Sequence, residues 1–389
     1  MKIKYWSMGV VSALLISGCQ MQSPVLEGTL DAIQADSLYL YQVTNDWYGT
    51  LEKEAAIPVK DGTFTYSLDS LKFGLYALAL ENQEMSRVTH FAKLFIEPVP
   101  MKVTVRQGDY EELDLQVEGS SLNERYTSFV HGLNVAGNKV MLDSLDRAFY
   151  AARDKGDTAL MAKIKTESMP YYDKSREQSR LFIDQAILKE QHTAFGLYLY
   201  YTYRFQNQTF NTVGAIDTVF QHLQEYPDEA RQMVFYSRIT DTLERFRKCA
   251  IGSKAPFIEG VDADGKQVSL DNFKGRYVLV DFWSSGCHWC RLETPHLQKV
   301  YDAFKDKNFT ILGVSSDYRK EDWLRAIDED KSFWNQIIVP RKEIRPLMDR
   351  YCIVGIPHII LVDPSGVIIA KDLRGEDIYQ TVESYIQKK

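Results

Sequence analysis

The chain has 389 residues, of which 45% are hydrophobic and 25% are charged, and its formal net charge is −7. This length is enough for two or three domains with sizeable cores. The negative net charge and the lack of a basic cluster exclude nucleic acid as an expected partner.

Residues 1–19 have the pattern of a signal segment. After a short basic start, the apolar run from Met8 to Ile16 is too short for a membrane span. The run leads into Ser17-Gly18-Cys19, which is similar to a bacterial lipoprotein processing site. We expect cleavage before Cys19 and acylation of its thiol, which would tether the exported protein to a membrane. The alternative is an ordinary signal peptide with an incidental cysteine.

Residues 20–118 are predicted to form a β-rich domain. Apolar and polar residues alternate in several short segments, such as Ser37–Tyr41 and Met101–Val105. Asp61-Gly62 lies between two such segments and predicts a β-hairpin. Many short strands with turn residues between them predict a small β-sandwich, in which nothing indicates catalysis.

Residues 119–248 are predicted to be helical. Ser121 and Glu124 have the spacing of a capping box, which predicts a helix start. The aromatic run Phe195–Tyr201 is more typical of a helix core than of a ligand site. Further helices are expected over residues 139–153, 158–189 with a break near Pro170, and 228–247. We expect this segment to link and orient the flanking domains.

Residues 249–389 alternate between strand and helix patterns, as in an α/β domain. A buried strand is predicted over Tyr277–Val280, and a helix follows from Arg291 to Lys305. The later elements are expected as a strand over 309–314, a helix over 321–329, a hairpin over 358–371 and a helix over 377–387. This order is a βαβ unit followed by a β-hairpin and a helix.

Cys287 and Cys290 lie at the junction of the predicted buried strand and helix. Two thiols at this spacing can close a disulfide within one helical turn. Unpaired N–H groups and the helix dipole favour a thiolate at the first cysteine, and a thiolate attacks disulfides. A zinc site would need a second CxxC or an HxxxH, which the sequence lacks, and a structural disulfide over so short a loop would stabilise little. We therefore predict a redox-active pair.

Two further cysteines, Cys249 and Cys352, are left after this assignment. In an oxidising compartment they could pair with each other or stay buried and inert. The sequence does not show whether they come within bridging distance, and we favour inert thiols.

Several motifs follow one another in a fixed order in residues 249–389. They are Ala255-Pro256-Phe257, Val280-Asp281-Phe282-Trp283, the cysteine pair, Pro295 and Gly355-Ile356-Pro357. In this order they resemble the thioredoxin fold, and most closely the TlpA/ResA-like thiol–disulfide oxidoreductases of bacterial envelopes. The resemblance covers a little over a third of the chain. The first 250 residues resemble the region that precedes such domains in exported lipoproteins.

The resemblance implies a role for four catalytic residues. Cys287 matches the exposed, attacking cysteine, and Cys290 matches the buried, resolving one. Asp281 matches a buried carboxylate, which should have a raised pKa and could take a proton from Cys290. Glu293 matches an active-site glutamate on the same helical face as Cys290. The alternatives are a solvated Asp at a strand end and a surface Glu.

The resemblance also implies a place where substrate binds. Pro357 matches a cis-proline that faces the cysteines and leaves the backbone of Ile356 free to pair with an extended substrate. His288 and Trp289 depart from the frequent family residues between the cysteines. A protonated His288 would stabilise the Cys287 thiolate, and Trp289 could present an apolar contact to a partner. No metal and no cofactor besides the cysteine pair are expected.

These observations predict a thioredoxin-like envelope enzyme that exchanges disulfides with exported proteins, with reduction of the partner favoured. An upstream membrane donor would supply electrons, since the sequence has no flavin or nicotinamide motif. Two alternatives stay open: a thiol peroxidase, and a binding or adaptor lipoprotein with a regulatory redox domain.

Overall fold

The structure is a computed structural model that describes residues 24–45, 50–80, 91–108 and 113–387. The predicted signal segment, with Cys19, lies outside the described residues. The chain divides into two compact units, Met1–Ser179 and Arg180–Lys389, and the boundary falls inside one long helix. Within the described part of the chain, every helix is too short or too polar to cross a membrane.

The first unit begins with a β-rich region, as predicted. Its described strands are β1 (Val25–Asp31), β2 (Ser37–Asn45), β3 (Thr50–Pro58), β4 (Thr63–Ser67), β5 (Gly74–Ala79), β6 (Phe91–Ile96), β7 (Met101–Gln107) and β8 (Leu113–Glu118). They form two four-stranded sheets in the orders β4-β1-β7-β8 and β3-β2-β5-β6. Apolar side chains from both sheets, including Leu26, Leu40, Phe64 and Leu78, share one buried cluster.

The turn at Asp61-Gly62 forms, but the predicted hairpin around it is wrong. Lys60 and Thr63 exchange two backbone hydrogen bonds of 2.8 and 2.9 Å across the turn. Both turn residues have positive φ, the conformation that this sequence favours. The flanking strands then diverge, because β3 pairs with β2 while β4 pairs with β1. The local turn chemistry therefore determined the reversal of the chain but not the strand pairing.

Seven helices follow in the described chain. They are α1 (Ser121–Ala136), α2 (Lys139–Asp154), α3 (Thr158–Lys189), α4 (Ala194–Tyr203), α5 (Val213–Leu223), α6 (Asp228–Gln232) and α7 (Val234–Arg247). The cap of α1 is Ser120 rather than the predicted Ser121, and its hydroxyl accepts the Asn123 N–H at 3.0 Å. The predicted break near Pro170 does not occur. The loss of one N–H leaves the other hydrogen bonds of a 32-residue helix in place.

The predicted helix over 228–247 is divided in two, since Met233 between α6 and α7 has an extended backbone. The aromatic run of α4 is almost entirely buried, in agreement with its interpretation as core. Its rings pack against one another and against Phe235 of α7.

The rest of the second unit is a seven-stranded sheet with helices. The elements are β9 (Glu259–Val261), β10 (Gln267–Ser269), β11 (Tyr277–Trp283), α8 (His288–Phe304), β12 (Phe309–Ser315), α9 (Lys320–Glu329), β13 (Asn335–Ile338), α10 (Arg341–Arg350), β14 (His358–Val362), β15 (Ile368–Ala370) and α11 (Glu376–Ile386). The strand order is β10-β9-β13-β12-β11-β14-β15. The predicted βαβ unit, hairpin and final helix are confirmed, while β13 and α10 were not predicted.

Alternate residues of β11 face opposite layers of this unit. Leu279 packs with the apolar faces of α8 and α11 on one side of the sheet. Val280 and Phe282 pack on the other side with Leu347 of α10. Because both faces are covered, all seven residues of β11 are buried, and its C-terminal end is held rigidly in the middle of the sheet.

Candidate active site

The turn after β11 carries the chain from the sheet into α8. The strand pairs in parallel with β12 and antiparallel with β14, so its end is fixed on both sides. The Asp317 carboxylate, just beyond β12, accepts the Ser285 N–H at 2.9 Å and the Ser285 hydroxyl at 2.6 Å. It also accepts the Ser315 hydroxyl at 2.7 Å. These bonds fix the turn that presents the first cysteine.

Cys287 and Cys290 are joined by a disulfide, with their Cα atoms 5.3 Å apart. Cys287 is the N-cap of α8, and its Sγ accepts the Cys290 N–H at 3.1 Å. Cys287 is partly exposed, whereas Cys290 is only 5% exposed. The two sulfurs therefore differ in access, and the accessible sulfur lies at the positive end of the helix dipole.

The loop before β14 faces the disulfide. The Ile356–Pro357 peptide bond is cis, as the resemblance implies. The Ile356 carbonyl oxygen lies 3.7 Å from the Cys287 Sγ. His358 of β14 is paired with Phe282 of β11, so the register of the sheet determines how close the loop comes to the cysteines. An extended segment that reaches Cys287 would run alongside the backbone of this loop.

Asp281 lies in the interior of β11, between Gly313 of β12 and Ile359 of β14 in the register of the sheet. The side chain is 6% exposed. Burial raises the pKa of Asp281 to about 7, with the Arg374 guanidinium opposing the rise and the Glu293 carboxylate adding to it. The carboxyl can therefore gain or lose a proton near neutral pH, which a solvated Asp at a strand end could not do.

Glu293 is partly buried on α8 and is tied to the backbone of a different segment. Its carboxylate accepts the Gly375 N–H at 2.7 Å. Gly375 directly precedes α11, so this bond links the helix of the cysteine pair to the last helix of the unit. The carboxylate also acts on Asp281 through charge, as the pKa of Asp281 shows.

His288 and Trp289 are both exposed in the first turn of α8, and their rings lie 5.6 Å apart. Trp289 is 70% exposed in the turn between the two cysteines, so its ring is accessible beside the disulfide. The predicted lipidation residue Cys19 lies outside the described residues. In the part of the chain that the structure describes, His, Cys, Asp and Glu side chains do not gather into a group able to hold a metal ion.

Two residues that contact the site were not predicted from the sequence. Arg374 donates a hydrogen bond to the Pro357 carbonyl and lowers the pKa of Asp281 by its charge. Asp317 holds the turn before Cys287. Neither belongs to a recognisable motif, since each is a charged residue after a strand whose position only the tertiary structure determines.

Comparison with known proteins identifies matching families for both parts of the chain, and similar relatives. Residues 251–371 match the AhpC/TSA family, and residues 25–126 match a domain of unknown function, DUF4369. The thiol-disulfide oxidoreductase ResA of Bacillus thuringiensis subsp. konkukian (strain 97-27) is 27% identical over 141 residues. That alignment covers 36% of this chain and 79% of the relative.

The chain is a TlpA/ResA-like protein. It is accordingly an oxidoreductase that acts on thiols and disulfides, with a thioredoxin fold in its C-terminal part. Among solved structures, the thioredoxin domain of a thiol-disulfide oxidoreductase from Bacteroides vulgatus is 60% identical. The alignment covers 35% of this chain and 98% of that domain, with a TM-score of 0.35. A thiol:disulfide interchange protein from Bacteroides sp. is 59% identical, with coverage of 36% and 92% and a TM-score of 0.35.

Proposed function

We propose that the protein exchanges disulfides with exported proteins of the bacterial envelope through Cys287 and Cys290, and that it acts as a reductant. The observation that carries this proposal is the disulfide at the start of α8, with one accessible sulfur near the Ile356 carbonyl and one buried sulfur. A structural disulfide would have no need of this asymmetry, since it holds two segments equally well when both sulfurs are buried.

In the reducing direction, the reduced Cys287 attacks. Its thiolate is stabilised by the Cys290 N–H and by the helix dipole. Attack on a partner disulfide forms a mixed disulfide with Cys287 and releases one partner thiolate. Cys290 then attacks the Cys287 sulfur, which releases the second partner thiol and closes the protein disulfide. Two electrons pass to the partner in each cycle.

Asp281 supports the second step as a proton acceptor. Cys290 is buried and must lose its proton before it can attack. A carboxyl with a pKa of about 7 can take up this proton at neutral pH, directly or through one water. Glu293 and Arg374 adjust that pKa in opposite directions and so act as positioning residues around the acceptor.

Binding of the partner is proposed to rest on main-chain contacts and one apolar side chain. The Ile356 carbonyl, held by the cis-proline loop beside Cys287, offers an acceptor to an extended peptide. Trp289 and His288 lie exposed beside the reacting sulfur, where they can contact the partner's surface. This mode of recognition depends little on the partner's sequence.

The same proposal includes three further parts: a lipid anchor at Cys19, a location in the cell envelope facing the periplasm, and an electron donor in the membrane. They rest on the sequence of residues 1–19 and on the need for a source of electrons. The sandwich-like arrangement of the N-terminal sheets is proposed from their shared apolar cluster.

The test is a Cys290→Ser variant expressed in the native host. Without the resolving sulfur, Cys287 should stay bound to its partners as mixed disulfides, visible as high-mass bands on non-reducing gels. A Cys287→Ser/Cys290→Ser variant is the matched control and should show none. If Cys290→Ser captures no envelope protein while iodoacetamide still labels Cys287, the exchange function is refuted.

A second comparison separates catalysis from an adaptor role. If the double variant has the same phenotype as a full deletion, the cysteine pair accounts for the function. A silent double variant would instead assign the main function to the N-terminal unit. Consumption of peroxide by the purified protein with turnover of thiol would favour the peroxidase alternative.

A further inference from the structure

Cys249 and Cys352 are neighbours in the second unit, although they are far apart in sequence. Cys249 follows α7 and is completely buried, and Cys352 follows α10 and is partly exposed. Both pack in the same apolar cluster on one face of the sheet. The Cys249 thiol donates to the Phe246 carbonyl at 3.5 Å and the Cys352 thiol donates to the Arg245 carbonyl at 3.6 Å, so both sulfurs lie at the last turn of α7. Both are free thiols in the structure. The sequence alone does not show that these two cysteines lie close together.

The surroundings of this pair are not those of inert, buried thiols. The Lys371 ammonium lies 3.8 Å from the Cys249 Sγ, and the charge of Arg245 also acts on the pair. The hydrogen bond from Cys352 and these cations lower the pKa of Cys249 to about 7, and the same contact raises the pKa of Cys352. The Tyr351 hydroxyl stays protonated, because burial and, to a lesser extent, the charge of Cys249 raise its pKa.

The position of the pair connects it to the active-site loop. Cys352 is the first residue of the segment that leads to Ile356 and the cis-proline. It has a φ of 53°, in the left-handed region that non-glycine residues seldom adopt. The ring of the preceding residue, Tyr351, packs against Phe282 at 4.9 Å, and its hydroxyl donates to the Pro256 carbonyl at 2.5 Å. The start of the loop is therefore held by Tyr351 and by noncovalent contacts of Cys352, including the hydrogen bond from its thiol to the Arg245 carbonyl at 3.6 Å.

We propose that Cys249 and Cys352 form a second dithiol–disulfide couple, whose disulfide fastens the start of the cis-proline loop to the end of α7. The oxidant is an organic disulfide, RSSR, such as glutathione disulfide or a partner protein. The Cys249 thiolate takes the proton of the neighbouring, partly exposed Cys352, and the Cys352 thiolate so formed attacks RSSR and releases RS⁻, which leaves with a proton as the first RSH. Cys249 then loses its proton and attacks the Cys352 sulfur, which releases the second RSH. Two thiols and RSSR give one protein disulfide and two RSH, so two electrons and the two thiol protons leave the protein.

The test uses the full chain with Cys287→Ser/Cys290→Ser, so that only the second couple can respond. After equilibration with reduced and oxidised glutathione, free thiols are alkylated and the protein is digested with trypsin without reduction. Cleavage after Lys248, Lys254, Arg350 and Lys371 isolates the two cysteines in separate peptides, 249–254 and 351–371. A disulfide-linked pair of these peptides is expected to appear as the glutathione ratio becomes oxidising.

Two variants serve as controls. Cys249→Ala should leave Cys352 as a lasting glutathione adduct without the linked peptides. Lys371→Met should slow formation of the disulfide link several-fold at pH 7 and shift the pH dependence of its rate to higher pH, because the Cys249 thiolate loses its neighbouring cation. Circular dichroism spectra that match the parent chain establish that each variant is folded.

The proposal has two separate points of failure. If both cysteines remain alkylatable under conditions that fully oxidise Cys287–Cys290 in the unmodified chain, the second couple does not exist. If the link forms but amide hydrogen exchange over 353–356 is the same in the linked and unlinked protein, the fastening of the loop is overturned. Neither result depends on whether Cys287 reacts with envelope proteins.

Discussion

Replacement of Asp281 by Asn should make the stability of the C-terminal domain less dependent on pH. The folded protein holds the Asp281 pKa at about 7, against an ordinary value of 3.8. Between these two values the folded state keeps a proton that the unfolded state has lost. Stability from this group is therefore complete below pH 4, falls as the pH rises, and levels off above pH 7. Asn keeps the shape of the protonated carboxyl but cannot ionise.

The magnitude follows from the two pKa values. The full penalty for ionising the buried carboxyl approaches about 4 kcal/mol, since one pKa unit corresponds to about 1.4 kcal/mol. Most of this penalty is incurred between pH 5 and pH 8, where the linkage relation gives about 2.5 kcal/mol. From pH 5 to pH 8, the unmodified chain should therefore lose about 2.5 kcal/mol more stability than Asp281→Asn. The contributions of other titrating groups to the pH dependence of stability cancel in this comparison, because both proteins contain those groups.

The assay is urea denaturation of both oxidised proteins at several pH values, followed by tryptophan fluorescence. Trp283, Trp323 and Trp334 are buried in the C-terminal domain, so the signal reports on the unfolding of that domain. Equal slopes with urea concentration for the two proteins would validate the comparison. If their stabilities run parallel within about 0.5 kcal/mol from pH 5 to pH 8, Asp281 does not carry a raised pKa and the proton-acceptor argument fails.

Substitutions at three further residues test the surroundings of the cysteine pair. Arg374→Met should raise the pKa of Asp281 further, because the opposing positive charge is lost. It should also destabilise the domain by about 1–3 kcal/mol, because the Pro357 carbonyl loses a charged donor. Urea denaturation at several pH values measures both effects. Asp317→Ala should destabilise the domain by about 1–3 kcal/mol, because the turn at Ser285 loses its acceptor. Asp317→Asn should destabilise it less, because Asn keeps one acceptor oxygen. A larger loss of stability for Asn than for Ala would contradict this account. Trp289→Ala should change stability by less than about 0.5 kcal/mol but slow exchange with a disulfide-containing protein about fivefold, and an unchanged exchange rate would remove Trp289 from the contact surface.

The parts of the fold that followed from the sequence are those with a strong local signal. The all-apolar run at Tyr277 indicated a buried strand, and the structure has this strand in the interior of the sheet, between β12 and β14. The turn at Asp61-Gly62 was also predicted correctly, because positive φ at both residues is a local property. The pairing of the strands around that turn was not, since it depends on which apolar faces meet in the core.

The elements that were missed have weak local signals. The strand β13 has only four residues, too few for a period-two pattern to stand out. The helix α10 contains Pro346 and is mostly charged, and Leu347 is its one fully buried residue, so its sequence shows no clear helical pattern of apolar residues. The same limit applies to the site: the cysteine spacing is a motif, whereas Arg374 is a lone arginine whose relevance appears only when α11 is packed beside α8.

In the proposed exchange cycle, the charges around Asp281 would let one buried carboxyl serve both halves of the reaction. Burial alone would raise its pKa, and the nearby Glu293 carboxylate adds to this effect, whereas Arg374 opposes it. The result is a group that is partly protonated at neutral pH and can accept a proton from Cys290 or return it. Arg374 also donates a hydrogen bond to the Pro357 carbonyl, so the residue that lowers the pKa of Asp281 also holds the loop that faces Cys287. A partner that displaces the loop should thus also alter the charge near Asp281, which would couple substrate binding to the activation of the resolving thiol.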